Sequence, residues 1–325
     1  MTESVVVSIV TCNGERFIKD CLECVFSQTR QATEVYVFDN ASTDGTAELV
    51  ARQFSTVKLI SSDVNIGFGA GHNRVIARTQ SSFVLVVNQD AFLEPSFLEE
   101  LMTAVRLQGR VGIAGGKLFS CRTNQSEVKG EPTIDMTWLD IEKKRRQVCY
   151  ASGQPDRDNV ASPMLAFAMD GAVMLLRRAM LDDIGIDGEY FDEDFFAGKE
   201  DLDISWRAQL CGWKCMYVPA ARGRHVRTFT PADRREEVSQ TLKCSSIRNR
   251  YLLMLKNDLI PHFARHFPHI AFYDLKIFAY ILLYERSSLK AYSQIVRLAP
   301  KALRKRRLTM QRKRVDDNYI LQWFR

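Results

Sequence analysis

The chain has 325 residues, 46% hydrophobic and 26% charged, which is enough apolar material for one large core or two smaller ones in an ordinary globular protein. Its formal net charge is +6, yet eight basic residues and no acid fall between Lys301 and Arg314, so the basicity belongs to one segment and not to the fold. A strand-like run starts at Val5 without the pattern of a signal peptide, and the longest apolar run, Ile277 to Tyr284, is far below the roughly 18 residues of a spanning helix. The expectation is therefore a cytoplasmic protein that is neither secreted nor threaded through a bilayer.

From Val5 to Val87 the pattern alternates strand and amphipathic helix: strand 5–10, helix about 15–28, strand 34–38, helix about 44–53, strand 57–60, helix about 69–79 and strand 83–87. Such alternation predicts an α/β fold with a mostly parallel central sheet flanked by helices. Polar, Asn-, Asp-, Ser- and Gly-rich turns follow the strands and lie on one edge of that sheet. Cys21 and Cys24 form a CxxC on one helical face with Phe17 and Val25, which predicts core packing, and the eight cysteines read as reduced thiols. Between Ser120 and about Met164 the periodicity lapses, as expected for an insertion that shapes a site and does not build the core. Order returns with Phe167 to Leu176 and then with a helix whose apolar face is Leu202, Trp206 and Leu210, placing Glu200 and Asp201 at its N-terminus. Beyond about Pro231 the pattern is helical, predicting a helical appendage of 231–325 on a first domain of 1–230, with Pro268 interrupting a helix that carries His262, His266 and His269.

Val84-Leu85-Val86-Val87-Asn88-Gln89-Asp90 reads as a strand buried on both faces that delivers a polar triplet ending in a carboxylate. In open α/β sheets ligands gather where such strands end, and a hard divalent cation bound through oxygen is held against phosphate in this way. Asp90 is either such a ligand or a cap for the helix starting near Pro95. Gly67, Gly69 and Gly71 have GxGxG spacing, and no acid stands where a dinucleotide fingerprint needs one for the ribose. The nicotinamide oxidoreductase reading fails on that ground.

Five pieces in order resemble glycosyltransferase family 2, whose fold is called GT-A: Ser8 to Asn13, Val37 to Gly45, Asn65 to Asn73, Asn88-Gln89-Asp90 in place of an Asp-x-Asp, and Lys199-Glu200-Asp201-Leu202-Asp203. The resemblance runs from Val5 to about Thr228. It implies an inverting transfer from a nucleotide-diphospho-sugar, with Asp201 as general base and Glu200 raising its pKa. It also implies a donor site from Thr11, Asn13, Asp39, Asn65, Gly67, Asn73, Asn88 and Arg224, in which Asp39 accepts from N3–H of uracil or thymine or else organises an Asx-turn with Ser42. The metal, Mg²⁺ or Mn²⁺, falls to Asp90 and His225, with Asn88 removing one formal charge from the family's pattern. Phe191-Asp192-Glu193-Asp194-Phe195-Phe196 and Asn249 to Asn257 resemble the rhamnosyltransferase branch, implying dTDP-rhamnose as donor and a saccharide or lipid-linked saccharide as acceptor. The aromatic helical stretch and the basic run suggest a peripheral contact with an anionic membrane surface, and the run lacks the interleaved aromatics expected for nucleic acid.

Overall fold

The computed structural model describes residues 3–121, 132–156, 160–226 and 238–325. Strands rich in β-branched residues alternate with helices in the first third: β1 (Val5–Thr11), α1 (Ile18–Phe26), β2 (Glu34–Asn40), α2 (Thr46–Gln53), β3 (Lys58–Ser62), α3 (Phe68–Ile76) and β4 (Phe83–Asn88). Then come β5 (Ala91–Leu93), α4 (Phe97–Leu107), β6 (Val111–Ser120), β7 (Ile134–Met136), β8 (Trp138–Ile141), β9 (Gln147–Cys149), β10 (Met164–Ala166), β11 (Ala168–Met169), β12 (Val173–Arg177), α5 (Arg178–Ile184), α6 (Glu200–Leu210) and β13 (Lys214–His225). The main sheet has the order β10-β13-β6-β12-β4-β1-β2-β3. Strands β4, β1, β2 and β3 run parallel, as do β6 and β13, while β12 is antiparallel between β4 and β6.

Helices cover both faces, which explains why β4 is apolar along its whole length: Phe83, Leu85 and Val87 pack on one side, Val84 and Val86 on the other. Cys21 is buried in the first of these cores, and all eight cysteines are free thiols. The insertion does more than the sequence predicts. Its β8 and β9 join β11 in a second, three-stranded sheet, and Trp138 stacks on Tyr150 at 4.0 Å inside the core.

The C-terminal helices are α7 (Gln240–Asn257), α8 (Ile260–Tyr284), α9 (Lys290–Gln311) and α10 (Asp317–Leu321). The boundary at 230/231 lies outside the described residues, but the helices beyond it share one core with α6: Leu202, Trp206 and Leu210 pack with Leu252, Leu253, Ala302, Ile320 and Phe324. The helix through Pro268 is continuous, so the expected interruption does not occur. His266 Nδ1 lies 3.0 Å from Arg145 Nη1, and no group of three metal-ligating side chains forms there among the described residues.

The basic run departs most from its sequence reading, because it is not a free charged tail. Lys305 is buried and donates to Glu189 (2.7 Å), Asp192 (2.6 Å) and Asp194 (3.1 Å). Lys301 reaches Asp194, Arg304 pairs with Asp187, Lys313 with Asp317 and Arg314 with Asp183. Arg306 and Arg312 donate to backbone carbonyls of Asp258 and Gly185. The run docks α9 on the acidic segment 183–194, which the sequence leaves unpaired because the partners are more than a hundred residues away. No helix among the described residues is long and apolar enough to cross a membrane.

Candidate active site

At the C-terminal edge of the parallel strands, Thr11 stands beside Asp39, and Asp39 beside Ser61, in register. The turns there are tied to one another. Gln89 Oε1 accepts from Thr11 Oγ1 at 2.5 Å and from the Cys12 N–H at 3.0 Å. Asn13, at φ 52°, accepts the Thr43 N–H on its side-chain oxygen and donates its own N–H to Ser42 Oγ. Asn40 and Asn65 are bonded at 3.0 Å and close the third turn. Ser42 is thus engaged by Asn13, and no Asx-turn with Asp39 forms. Asp39 is buried, and its Oδ1 has no hydrogen-bond partner. A buried acceptor without a donor is costly unless a ligand completes it.

Strand β4 brings Asn88 and Asp90 to the middle of the same edge, and the long β13, paired antiparallel to β5, brings His225 to meet them. His225 Nε2 lies 3.3 Å from Asp90 Oδ1 and 3.4 Å from the Asn88 amide, while Nδ1 lies 2.7 Å from Asp135 Oδ2. Burial pulls the imidazole pKa down, but the carboxylates of Asp135 and Asp90 outweigh it and carry it up to about 9. A carboxylate on one ring nitrogen with the other nitrogen facing a second carboxylate is the arrangement that orients a histidine toward a metal. Asp90 and His225 therefore fit a divalent cation as a two-residue site, the number of protein ligands that suits an ion completed by substrate phosphates. No cluster of three or more metal-ligating side chains exists among the described residues. Asp135 comes from the insertion, and nothing in the local sequence marks it.

Across the cleft, Lys199 in a left-handed conformation (φ 75°) opens α6, and Glu200 and Asp201 form its first turn. Asp201 Oδ2 accepts the Gly171 N–H at 3.2 Å and Oδ1 accepts the Leu202 N–H at 2.7 Å. The same 170–172 turn binds the triplet, since Asn88 N–H donates to the Ala172 carbonyl at 2.8 Å. Asn88, Asp170, Glu200 and Asp201 thus line one cavity of about 470 Å³. Desolvation and then the Asp170 carboxylate raise the Asp201 pKa to about 7, against the pull of its two N–H bonds and of Lys199. Desolvation and then Asp201 raise Glu200 to about 8, and Glu200 Oε2 has no partner. Asp203 faces elsewhere and is bonded by Arg207, Lys256 and Asn257. Asp170 escapes a sequence reading that takes Phe167 to Leu176 as one ordered run; Asp170-Gly171 inside it is a turn signal.

Three of the expected donor residues have other tasks. Arg224 precedes His225 on a strand, so alternation turns it to the opposite face, beside Cys24 and Cys121. The Asn73 amide binds the Phe191 carbonyl and the N–H groups of Tyr190 and Phe191, holding the 190–193 loop. At Gly67 (φ 89°) a Cβ would lie 2.5 Å from the Phe196 carbonyl oxygen, so the glycine admits this chain's own backbone.

Residues 3–243 match the model of the glycosyltransferase-like family 2. The chain belongs to that family. This transferase is 25% identical over 251 residues to the N-acetylglucosaminyl-diphospho-decaprenol L-rhamnosyltransferase of Mycobacterium tuberculosis, covering 71% of this chain and 78% of that one. Its fold is GT-A. It is similar to Staphylococcus aureus TarS 1–349 in complex with UDP-GlcNAc (TM-score 0.55, 16% identity, 95% of this chain and 90% of that one). It is similar also to the mannosyltransferase PcManGT of Pyrobaculum calidifontis with GDP-Man and Mn²⁺ (TM-score 0.53, 15% identity, 99% and 83%).

Proposed function

We propose that this glycosyltransferase inverts the anomeric centre of L-rhamnose as it moves the sugar from dTDP-rhamnose to a hydroxyl of a lipid-linked saccharide. The observation that carries the reading is the cavity in which Asp201, with its pKa raised, faces Asn88 and the triplet. Asp39 Oδ1 accepts from N3–H of the base, and Asp90 and His225 would hold Mg²⁺ or Mn²⁺ at the diphosphate end. That cation, when bound, neutralises the charge gained by the departing diphosphate. Asp201 takes the proton of the acceptor hydroxyl from the opposite side of the anomeric carbon, and a pKa near the working pH suits a general base. Its two backbone N–H bonds, one to each oxygen, fix the carboxylate and leave each oxygen a second lone pair. Rhamnose and the lipid-linked acceptor are supported by the sequence resemblance and by the mycobacterial relative.

The same Asp39 contact serves uracil, so a UDP-sugar is the second reading. Thermal shifts with dTDP, UDP and GDP, each with and without Mn²⁺, test the donor site. The expected order is dTDP first, with the shift enlarged by Mn²⁺ in wild type and not in Asp90→Ala. Preference for GDP overturns the role of Asp39, and failure to turn over any dTDP- or UDP-sugar overturns the enzymatic reading.

A further inference from the structure

A second cavity, of about 670 Å³, opens directly beside the first, and Gln147, Lys199 and Ser246 line both. It lies between α7, α8 and the turn before β9. Arg146, Lys199, Arg250 and Lys276 are among its lining residues, together with Tyr251 and Tyr280, and no carboxylate lines it. Two of the lining arginines are already paired, Arg145 with Asp258 and Arg250 with Asp274, whereas Lys199 and Lys276 have no acid partner among the described residues. Lys199 in particular has no hydrogen-bond or ion-pair partner among the described residues, although it is half-buried and sits at the junction of the two cavities. Arg250 is buried, with Nη1 on Asp274 and Nη2 on the Lys144 carbonyl, and only its Nε has no partner. Lys276 is exposed, stacked over Phe272 at 4.3 Å, and the exposed Arg146 reaches the half-buried Glu142 at 3.6 Å.

The chemistry that answers such a site is a compact, multivalent anion. The nucleotide's own diphosphate belongs, in the reading above, at Asp90 and His225, neither of which lines this cavity. The outer face of α8 next to this cleft adds a second requirement, because Phe272, Leu275, Phe278, Leu282 and Leu283 are exposed along it. An apolar helix face bordering a cationic cleft fits a ligand with an anionic head and a hydrocarbon tail.

We propose that this cleft is the binding site for the diphosphate of the acceptor, held by Lys199, Arg146, Lys276 and Arg250, with the acceptor's lipid lying along the outer face of α8. The saccharide then extends from Lys199 into the neighbouring cavity, where its hydroxyl meets Asp201. The proposal rests on the transfer reading above and assigns the surface contact to α8, in place of the basic run.

The test is calorimetric titration of the full-length protein, with saturating dTDP blocking the donor site, using geranyl diphosphate and inorganic pyrophosphate as probes. Geranyl diphosphate is expected to bind, and more tightly than pyrophosphate. Arg146→Ala and Lys276→Ala, both at exposed positions, are each expected to weaken it about tenfold, the scale of one charge-assisted hydrogen bond. Lys276→Arg should retain binding, and dTDP affinity should not change in any of them. Equal affinity for the two probes, still lost in the variants, supports the anion site and assigns it to a water-soluble phosphorylated acceptor. Absence of binding by both probes, or binding indifferent to Arg146→Ala and Lys276→Ala, overturns the proposal. Failure of dTDP itself to bind counts against the donor reading, and the dependence of the probes on Arg146 and Lys276 still decides this one.

Discussion

Asp192 and Asp203 on one side, and Glu200 and Asp201 on the other, are buried carboxylates of a single short segment with opposite fates. Burial alone pushes all four upward. Lys256 and Lys305 outweigh it at Asp192, and Lys256 and Arg207 at Asp203, so both fall below the ordinary carboxylate range. Glu200 and Asp201 have no such cation in contact, and Asp170 adds a like charge, so both rise. The difference separates acids that hold the C-terminal helices in place from acids left available for proton transfer. It comes from which cations the tertiary structure brings within reach.

The largest expected effect is on catalysis. Asp201→Asn keeps the shape and removes the basic lone pair, so single-turnover transfer should fall about 10²–10⁴-fold with dTDP affinity unchanged. Glu200→Gln should cost less; a larger loss there would move the base to Glu200, whose Oε2 has no partner. Lys256→Met strikes the other pair, since it strips a buried cation from Asp192 and Asp203 together. Loss of one partner of a buried ion pair costs about 3–5 kcal/mol, to be read from urea unfolding at pH 7. Because those pKa values lie below the unfolded value of 3.8, the stabilisation is present above it and lost as pH falls, so the gap between wild type and Lys256→Met should close in acid.

The raised pair carries the opposite sign. A carboxyl whose folded pKa exceeds its unfolded one contributes stability below the unfolded value, and this is lost as pH rises through the folded value. Glu200→Gln should therefore melt higher than wild type, by a margin that grows from about pH 5 to about pH 8. A margin independent of pH would show that Glu200 is ionised in the fold and would dissolve the contrast. The smallest effect is expected from Arg304→Ala and Arg314→Ala, exposed partners of Asp187 and Asp183, whose urea midpoints should match wild type.

Much of this molecule is written locally. The alternation from Val5 to Asn88, the polar turns at Thr11, Asp39 and Asn65, and the helix opening at Glu200 are periodicity and turn chemistry, which need no knowledge of distant residues. For the same reason, the five motifs in order sufficed for the family. Local pattern does not reach the contacts of Arg224, Asn73 and Gly67: a motif names residues near a site but not the direction of each side chain, nor whether its polar atoms already have partners.

What the tertiary structure decided was pairing over long separations. Asp135 reaches His225 from an insertion ninety residues earlier, and Asp170 reaches Asp201 across a turn hidden inside an apolar run. Eight basic residues in fourteen look like an electrostatic device in the sequence, yet Asp183, Asp187, Glu189, Asp192 and Asp194 take up much of that charge. The cationic cleft lies instead where Arg146, Lys199, Arg250 and Lys276 converge from four separate elements. Charge along a chain is additive, but the field a ligand meets depends on which opposite charges the fold has already placed beside each one.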